Sequence, residues 1–253
     1  MSKLLGILLV VVGVASAVPQ STPPPEPKVQ ADILFNEGNA LFKKGDYRGA
    51  IEKYSSAIAL APDYKYHYQL GLSYKNSRQM DKAIAEFENS IKSKNDFSVG
   101  YLALGGAYLT TAEYAKSIEA FKDVLKLEPK NERAIKGISE AYAGNAQYLM
   151  NEGKFEEAGK ELDGAMVQEY DNPKLYLLAA RIYNRLGQPE KALDAAEHAL
   201  KTKKRGSRGA EYFELGVALK GLQQYAKARE AFNEARKDPS YAKNAQYELD
   251  GLK

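Results

Sequence analysis

With 36 lysines and arginines against 33 acidic residues, the 253-residue chain carries a net charge of only +3, which argues against nucleic acid as its partner. It contains no cysteine, so disulfides, thiolate metal sites and a thiol nucleophile are excluded. A hydrophobic content of 44 % with 27 % charged residues suits an ordinary globular chain, and 18 tyrosines with no tryptophan make tyrosine its main aromatic packing residue.

Residues 1–17 combine one early charge (Lys3), an apolar run from Leu4 to Val14 and the small-residue ending Ala15-Ser16-Ala17. That is the three-part pattern of a secretory signal peptide, with cleavage expected after Ala17. The apolar run falls short of the roughly 20 residues of a membrane-spanning helix, and retention as an uncleaved anchor is the rival reading. Export places the chain in the periplasm if the source is bacterial, or makes it secreted. No lipid-modified cysteine is available as a tether. Residues 18–30 follow as a linker holding Pro19, Pro23, Pro24, Pro25 and Pro27, a composition that favours an extended spacer.

Beyond the linker a row of small residues recurs: Ala50, Ala83, Ser117, Ala158, Ala192 and Ala228, at steps of 33, 34, 41, 34 and 36. Four residues after each stand Tyr54, Phe87, Phe121, Leu162, Ala196 and Phe232, and twelve before four of them stand Gly38, Gly71, Gly105 and Gly216. Small residues let two helices approach, and the bulky residue one turn later fills the space beyond them. The period of about 34 residues marks stacked helix–turn–helix units, none of which buries its apolar face alone. Six units are expected: 31–63, 64–97, 98–131, 132–172, 173–208 and 209–240. The 41-residue step predicts a first helix in unit four lengthened by two turns, since Ile135, Ile138, Tyr142, Ala146 and Leu149 keep helical spacing. Residues 241–253 read as a capping helix with Tyr241, Ala245 and Leu249 on one face. Tyr74, Tyr108, Tyr142 and Tyr183 are expected at matching packing positions of the first helices.

These residues, from Leu34, Gly38, Tyr47, Ala50, Tyr54 and Pro62 in unit one to Tyr212, Gly216, Tyr225, Ala228 and Phe232 in unit six, resemble the tetratricopeptide repeat (TPR) family over roughly residues 31 to 240. The resemblance implies an all-α solenoid whose first helices line a concave surface. Unit one would present Asp32, Phe35, Asn39 and Phe42 there, unit two Lys65, Tyr68, Leu72 and Lys75, unit three Val99, Leu102, Gly106 and Leu109, and unit five Lys174, Leu177, Arg181 and Asn184. A partner peptide or helix is expected to contact Phe35, Asn39, Phe42, Tyr68, Leu72, Lys75, Leu102 and Leu109. The carboxylate clamp of the chaperone-tail binders is not reproduced: Asn39 alone matches, with Phe35, Gln69, Val99 and Ala103 at other clamp positions.

No catalytic residue, metal or cofactor is assigned. His67 reads as a packing residue and His198 as an exposed or half-buried one, and neither has acids at metal-ligand spacing. The basic run Lys201, Lys203, Lys204, Arg205 and Arg208 reads as a solvated loop, with peripheral contact to anionic headgroups or an acidic partner as the functional alternative. The function expected is a non-catalytic protein-interaction scaffold in the cell envelope. Its alternative is a structural protein that self-associates through the groove.

Overall fold

A computed structural model describes residues 26–167 and 172–252, and all regular structure among them is helical. The expected signal peptide, and the linker as far as residue 25, lie outside the described residues. Six hairpins run in order: α1 (Pro27–Lys43) with α2 (Tyr47–Leu60), α3 (Tyr64–Asn76) with α4 (Met80–Ser93), α5 (Ser98–Thr110) with α6 (Tyr114–Leu127), α7 (Glu132–Asn151) with α8 (Phe155–Val167), α9 (Pro173–Arg185) with α10 (Pro189–Thr202), and α11 (Gly209–Gly221) with α12 (Tyr225–Arg236). A last helix, α13 (Ala242–Asp250), closes the array by packing Ala245 and Leu249 against α12 and leaving Tyr247 exposed. First helices touch one another, α1 on α3, α5 on α7, α7 on α9 and α9 on α11, while second helices are not packed together to a comparable degree. The array therefore curves with its first helices on the inside.

Close approach inside each hairpin is made by pairs sixteen residues apart. A Cβ placed on Gly38 would meet the ring of Tyr54 at 2.6 Å, one on Gly71 that of Phe87 at 2.6 Å, one on Gly105 that of Phe121 at 2.8 Å, and one on Gly216 that of Phe232 at 2.6 Å. In units four and five the smaller partners Leu162 and Ala196 stand opposite Ala146 and Ala180, all four buried. An aromatic ring on the second helix thus goes with glycine on the first, and a smaller side chain goes with alanine.

The hairpin turns are equally regular. Gly45, Gly153 and Gly187 adopt positive φ at the same place in units one, four and five, and Arg78, Ala112 and Gln223 are forced into it in the others at φ of 60°, 60° and 61°. Asp46, Asp63, Asn131 and Asn172 cap helix N-termini by accepting from backbone N–H groups. Helix α7 has 20 residues where α3, α5, α9 and α11 have 13.

Two sequence expectations are corrected here. The linker does not reach residue 30, because α1 begins at Pro27. A proline at the first helical position sacrifices no hydrogen bond, since the N–H it lacks has no intrahelical acceptor. Tyr142 does not share the position of Tyr74, Tyr108 and Tyr183, which stand three residues after Gly71, Gly105 and Ala180. Leu149 takes that place after Ala146. His67 packs against the facing helix α4, as expected, and its Nδ1 lies 2.7 Å from Glu86 Oε2 there.

Candidate functional site

A cavity of ≈ 380 Å³ opens on the concave side, walled by α3, α5 and α7. Helix α3 supplies Tyr68, Leu72 and Lys75, and α5 supplies Val99, Leu102, Ala103, Gly106 and Leu109. Residues one and two turns apart on a helix share a face, which is why these spacings converge. Gly106 is the key to its depth. A Cβ there would meet nothing within 4 Å, so this glycine leaves open space where its neighbour Gly105 leaves room only for Phe121.

Tyr68 is fixed by rings: it meets Phe97 edge-on at 5.2 Å and Phe87 at 5.9 Å. Burial raises the pKa of its phenol, and the charge of Arg133 opposes that shift. Helix α7 adds Arg133, Lys136, Gly137 and Glu140 to the wall. Lys136 lies 3.7 Å from Glu140, whereas Lys75 and Arg133 have no ion-pair partner among the described residues. The site is an apolar trough with two unpaired cations on its rim.

Five of the eight residues expected to contact a partner line this cavity: Tyr68, Leu72, Lys75, Leu102 and Leu109. The three from unit one do not. Phe35 packs against Tyr54 and Tyr66 at centroid distances of 5.6 and 4.7 Å, filling the junction of units one and two. Asn39 Oδ1 accepts from the Tyr54 hydroxyl at 2.7 Å, and Phe42 meets Tyr47 edge-on at 5.4 Å. Asp32 likewise accepts from Tyr66, whose oxygen also receives Lys28 Nζ at 2.8 Å. The α7 residues went unassigned in the sequence reading, although Arg133, Gly137 and Glu140 follow the 4-and-3 spacing of one helical face.

Farther along, the concave face closes on itself. Arg181 Nε donates to Glu214 Oε1 at 3.1 Å, and Asn184 Nδ2 donates to Glu214 Oε2 at 3.0 Å and to its carbonyl oxygen at 2.9 Å. A second hollow of ≈ 740 Å³ lies between α7 and α9, edged by Lys136, Glu140, Asn172 and Lys204. The basic run is partly consumed by the fold: Lys203 Nζ pairs with the buried Glu211 at 2.7 Å, and Arg208 Nη2 donates to the Lys203 carbonyl. His198 is exposed and stacks on Tyr176 at 3.9 Å. Among the described residues no group of three or more His, Asp or Glu is arranged to hold a metal, and no helix is long and apolar enough to cross a membrane.

Compared with known proteins, the chain matches a family model described as TPR repeat over residues 38–77. Models described as tetratricopeptide repeat match residues 64–97, 100–131, 143–210 and 212–235. Human Tetratricopeptide repeat protein 12 is 32 % identical over 113 residues, which are 44 % of this chain and 16 % of that protein. The Hsp70-Hsp90 organizing protein of Triticum aestivum is 31 % identical over 112 residues, 44 % of this chain and 19 % of that one. The chain thus spans less than a fifth of either relative. Among solved structures, the second TPR domain of human RPAP3 in complex with an HSP70 peptide has 26 % identity and a TM-score of 0.44, covering 46 % of this chain and 97 % of that domain. A MamA structure has 22 % identity and a TM-score of 0.49, covering 68 % and 91 %.

Proposed function

The chain belongs to the tetratricopeptide repeat family, and from that premise we propose that it is a non-catalytic protein-interaction scaffold that holds a partner peptide in the groove of α3, α5 and α7. The observation that carries this reading is the open space over Gly106 in an apolar trough rimmed by unpaired Lys75 and Arg133. An apolar anchor from a peptide fills that space, and the two cations select a peptide with acidic flanks. Burying one leucine-sized anchor contributes about 2 kcal/mol, or roughly thirtyfold in affinity.

Panning a random peptide library against the full chain, with a Gly106→Leu variant as counter-target, tests the proposal. The new side chain fills the trough from within and replaces a helix-weakening glycine, so lost binding cannot be blamed on lost folding. Peptides that bind the native chain and not the variant are expected. A selection that returns only peptides held equally by both would refute the groove.

Export completes the proposal: residues 1–17 direct the chain out of the cytosol and place the scaffold in the cell envelope. Sequencing the N-terminus of the protein from fractionated cells should find Val18, and Met1 recovered in the cytosolic fraction would overturn it.

A further inference from the structure

On the side of the array away from this groove, where successive second helices stand apart, one arrangement recurs at the unit junctions. Tyr74, Tyr108 and Tyr183 occupy the same position of their first helices, and each lies beneath a lysine that directly precedes the small residue of the second helix. Lys82 sits 5.4 Å from the Tyr74 ring centroid, Lys116 5.2 Å from Tyr108 and Lys191 5.2 Å from Tyr183. In two of the three the phenol also donates to a carboxylate on the second helix of the preceding unit. Tyr108 Oη lies 2.5 Å from Glu88 Oε1, and Tyr183 Oη lies 2.8 Å from Asp163 Oδ1. Both carboxylates stand five residues after the small residue of their unit, where unit one has Ser55 and so offers Tyr74 no acid.

Unit four has none of the three parts: Leu149 replaces the tyrosine, Glu157 the lysine, and Lys122 of unit three the acid. Unit six is different. Its lysine is present as Lys227, the acid is present as Glu197 of unit five, and only the ring is missing, with Leu219 in its place. Neither Glu197 nor Lys227 makes a hydrogen bond or ion pair with another side chain among the described residues. Between them lies a cavity of ≈ 660 Å³, walled by Leu193, Tyr212, Leu215 and Leu219. The corresponding hollow beside Tyr108 measures ≈ 340 Å³.

We propose that this cavity is a socket for the tyrosine side chain of a partner segment. The incoming ring lies over Leu219 and beneath the Lys227 ammonium, and its hydroxyl donates to Glu197. The occupant's chemistry is read from the chain itself, since Tyr108 and Tyr183 show which group a lysine and a carboxylate in this register hold. A cation over the ring face and an anion at the hydroxyl favour a phenol over an aliphatic side chain or an unsubstituted ring. The socket does not depend on the groove of α3, α5 and α7, and either can stand without the other.

The test is a titration of the full chain, methyl-labelled at leucine, with N-acetyl-tyrosinamide and separately with N-acetyl-phenylalaninamide, followed by NMR. Saturable shifts at the Leu193, Leu215 and Leu219 methyls are expected with the tyrosine probe, and binding about tenfold weaker with the phenylalanine probe, which lacks the donor. Leu219→Tyr should plug the socket from within, abolish the shifts at Leu193 and Leu215, and raise Tm. Glu197→Gln, a surface change that leaves the core untouched, should weaken the tyrosine probe about tenfold and leave the phenylalanine probe unchanged. No saturable shift, equal affinity for the two probes, or full binding by a folded Leu219→Tyr variant would overturn the proposal. Shifts of the same methyls on concentrating the protein without any probe would give the socket to a second copy of the chain and refute a foreign partner.

Discussion

Gly105 and Gly106 are neighbours in α5, yet replacing each by alanine should move stability in opposite directions. Both changes remove a glycine from a helix interior, a gain of about 0.5–1 kcal/mol in each case. At Gly106 nothing opposes it, because the new Cβ meets open space. At Gly105 the Cβ would lie 2.8 Å from Cδ1 and Cε1 and 3.0 Å from Cγ of Phe121. That ring has no retreat, since its opposite edge is held against Gly137 of α7, where a Cβ would also collide with it. Overpacking of this kind costs about 1–3 kcal/mol. Gly106→Ala should therefore stabilise α5 by up to about 1 kcal/mol, and Gly105→Ala should fall about 2 kcal/mol below it. Native-state hydrogen exchange of the α5 and α6 amides reads this locally, avoiding the assumption that six units unfold in one step. Adding Phe121→Leu to Gly105→Ala should recover part of the loss, because it recreates the Ala146–Leu162 pairing of unit four. If the two alanine variants agree within a few tenths of a kcal/mol, the glycine–aromatic account of hairpin packing is wrong.

Three other outcomes follow from the same structure. Lys203→Met strips the buried Glu211 carboxylate of its one hydrogen-bond partner among the described residues, where its Oε2 already has none, and should cost about 3–5 kcal/mol in the exchange stability of α10 and α11. Burial pushes the Tyr54 phenol up to about 12 from its ordinary 10.0, and burial with their carboxylate partners also raises Tyr108 and Tyr183. The unfolded chain therefore loses these protons first, so their stabilisation is whole below about pH 10 and Tyr54's share is gone above about pH 12. Circular dichroism melts between pH 9 and 12 should show Tm falling, less steeply in Tyr54→Phe, and a flat profile would contradict the burial argument. Ala112→Gly and Gln223→Gly relieve a positive φ that glycine adopts freely and should each raise Tm, by about 1 kcal/mol of stability, with Gly45→Ala moving the other way.

What the sequence revealed of the fold was whatever depends on backbone spacing. The small residue, the bulky one four later and the glycine twelve earlier are set by helix–helix distance, so their period is visible before any contact is known. Composition alone does not mark the linker boundary, because five prolines form one block in the sequence, of which Pro27 already starts a helix. The groove was half legible. Tyr68, Leu72, Leu102 and Leu109 follow from their place on the first helices, but unit one is the first hairpin among the described residues, and its aromatic Phe35 turns to Tyr66 of the next unit instead of to solvent. Asn39 is captured by Tyr54, fifteen residues on, and Glu86 lies nineteen residues beyond His67. Polar pairings at such separations leave no periodic trace. The α7 wall is not legible in the sequence, because a first helix two turns longer than its neighbours hides which of its turns faces the trough.

The two halves of the concave face are built on opposite electrostatic terms, and this fixes how far a bound peptide extends. At the centre of the α9–α11 junction the charges are satisfied internally: Glu214 is 7 % exposed and takes its hydrogen bonds from Arg181 and Asn184. A ligand charge placed there would have to displace a partner already held in good geometry, and desolvation would offset the gain. Along α3 and α7, Lys75 and Arg133 have no such partner, so a ligand's carboxylates meet cations that are free to accept them. Arg181→Met therefore separates stability from binding. It should destabilise the α9–α11 junction by about 3 kcal/mol, because it leaves Glu214 buried with a single donor. Affinity for a groove-selected peptide, measured by fluorescence anisotropy below the melting transition, should stay within about twofold, as no contact in the α3–α5–α7 trough has changed. A large fall in affinity with the array still folded would mean that the peptide runs the full length of the concave face and that the polar network belongs to the site.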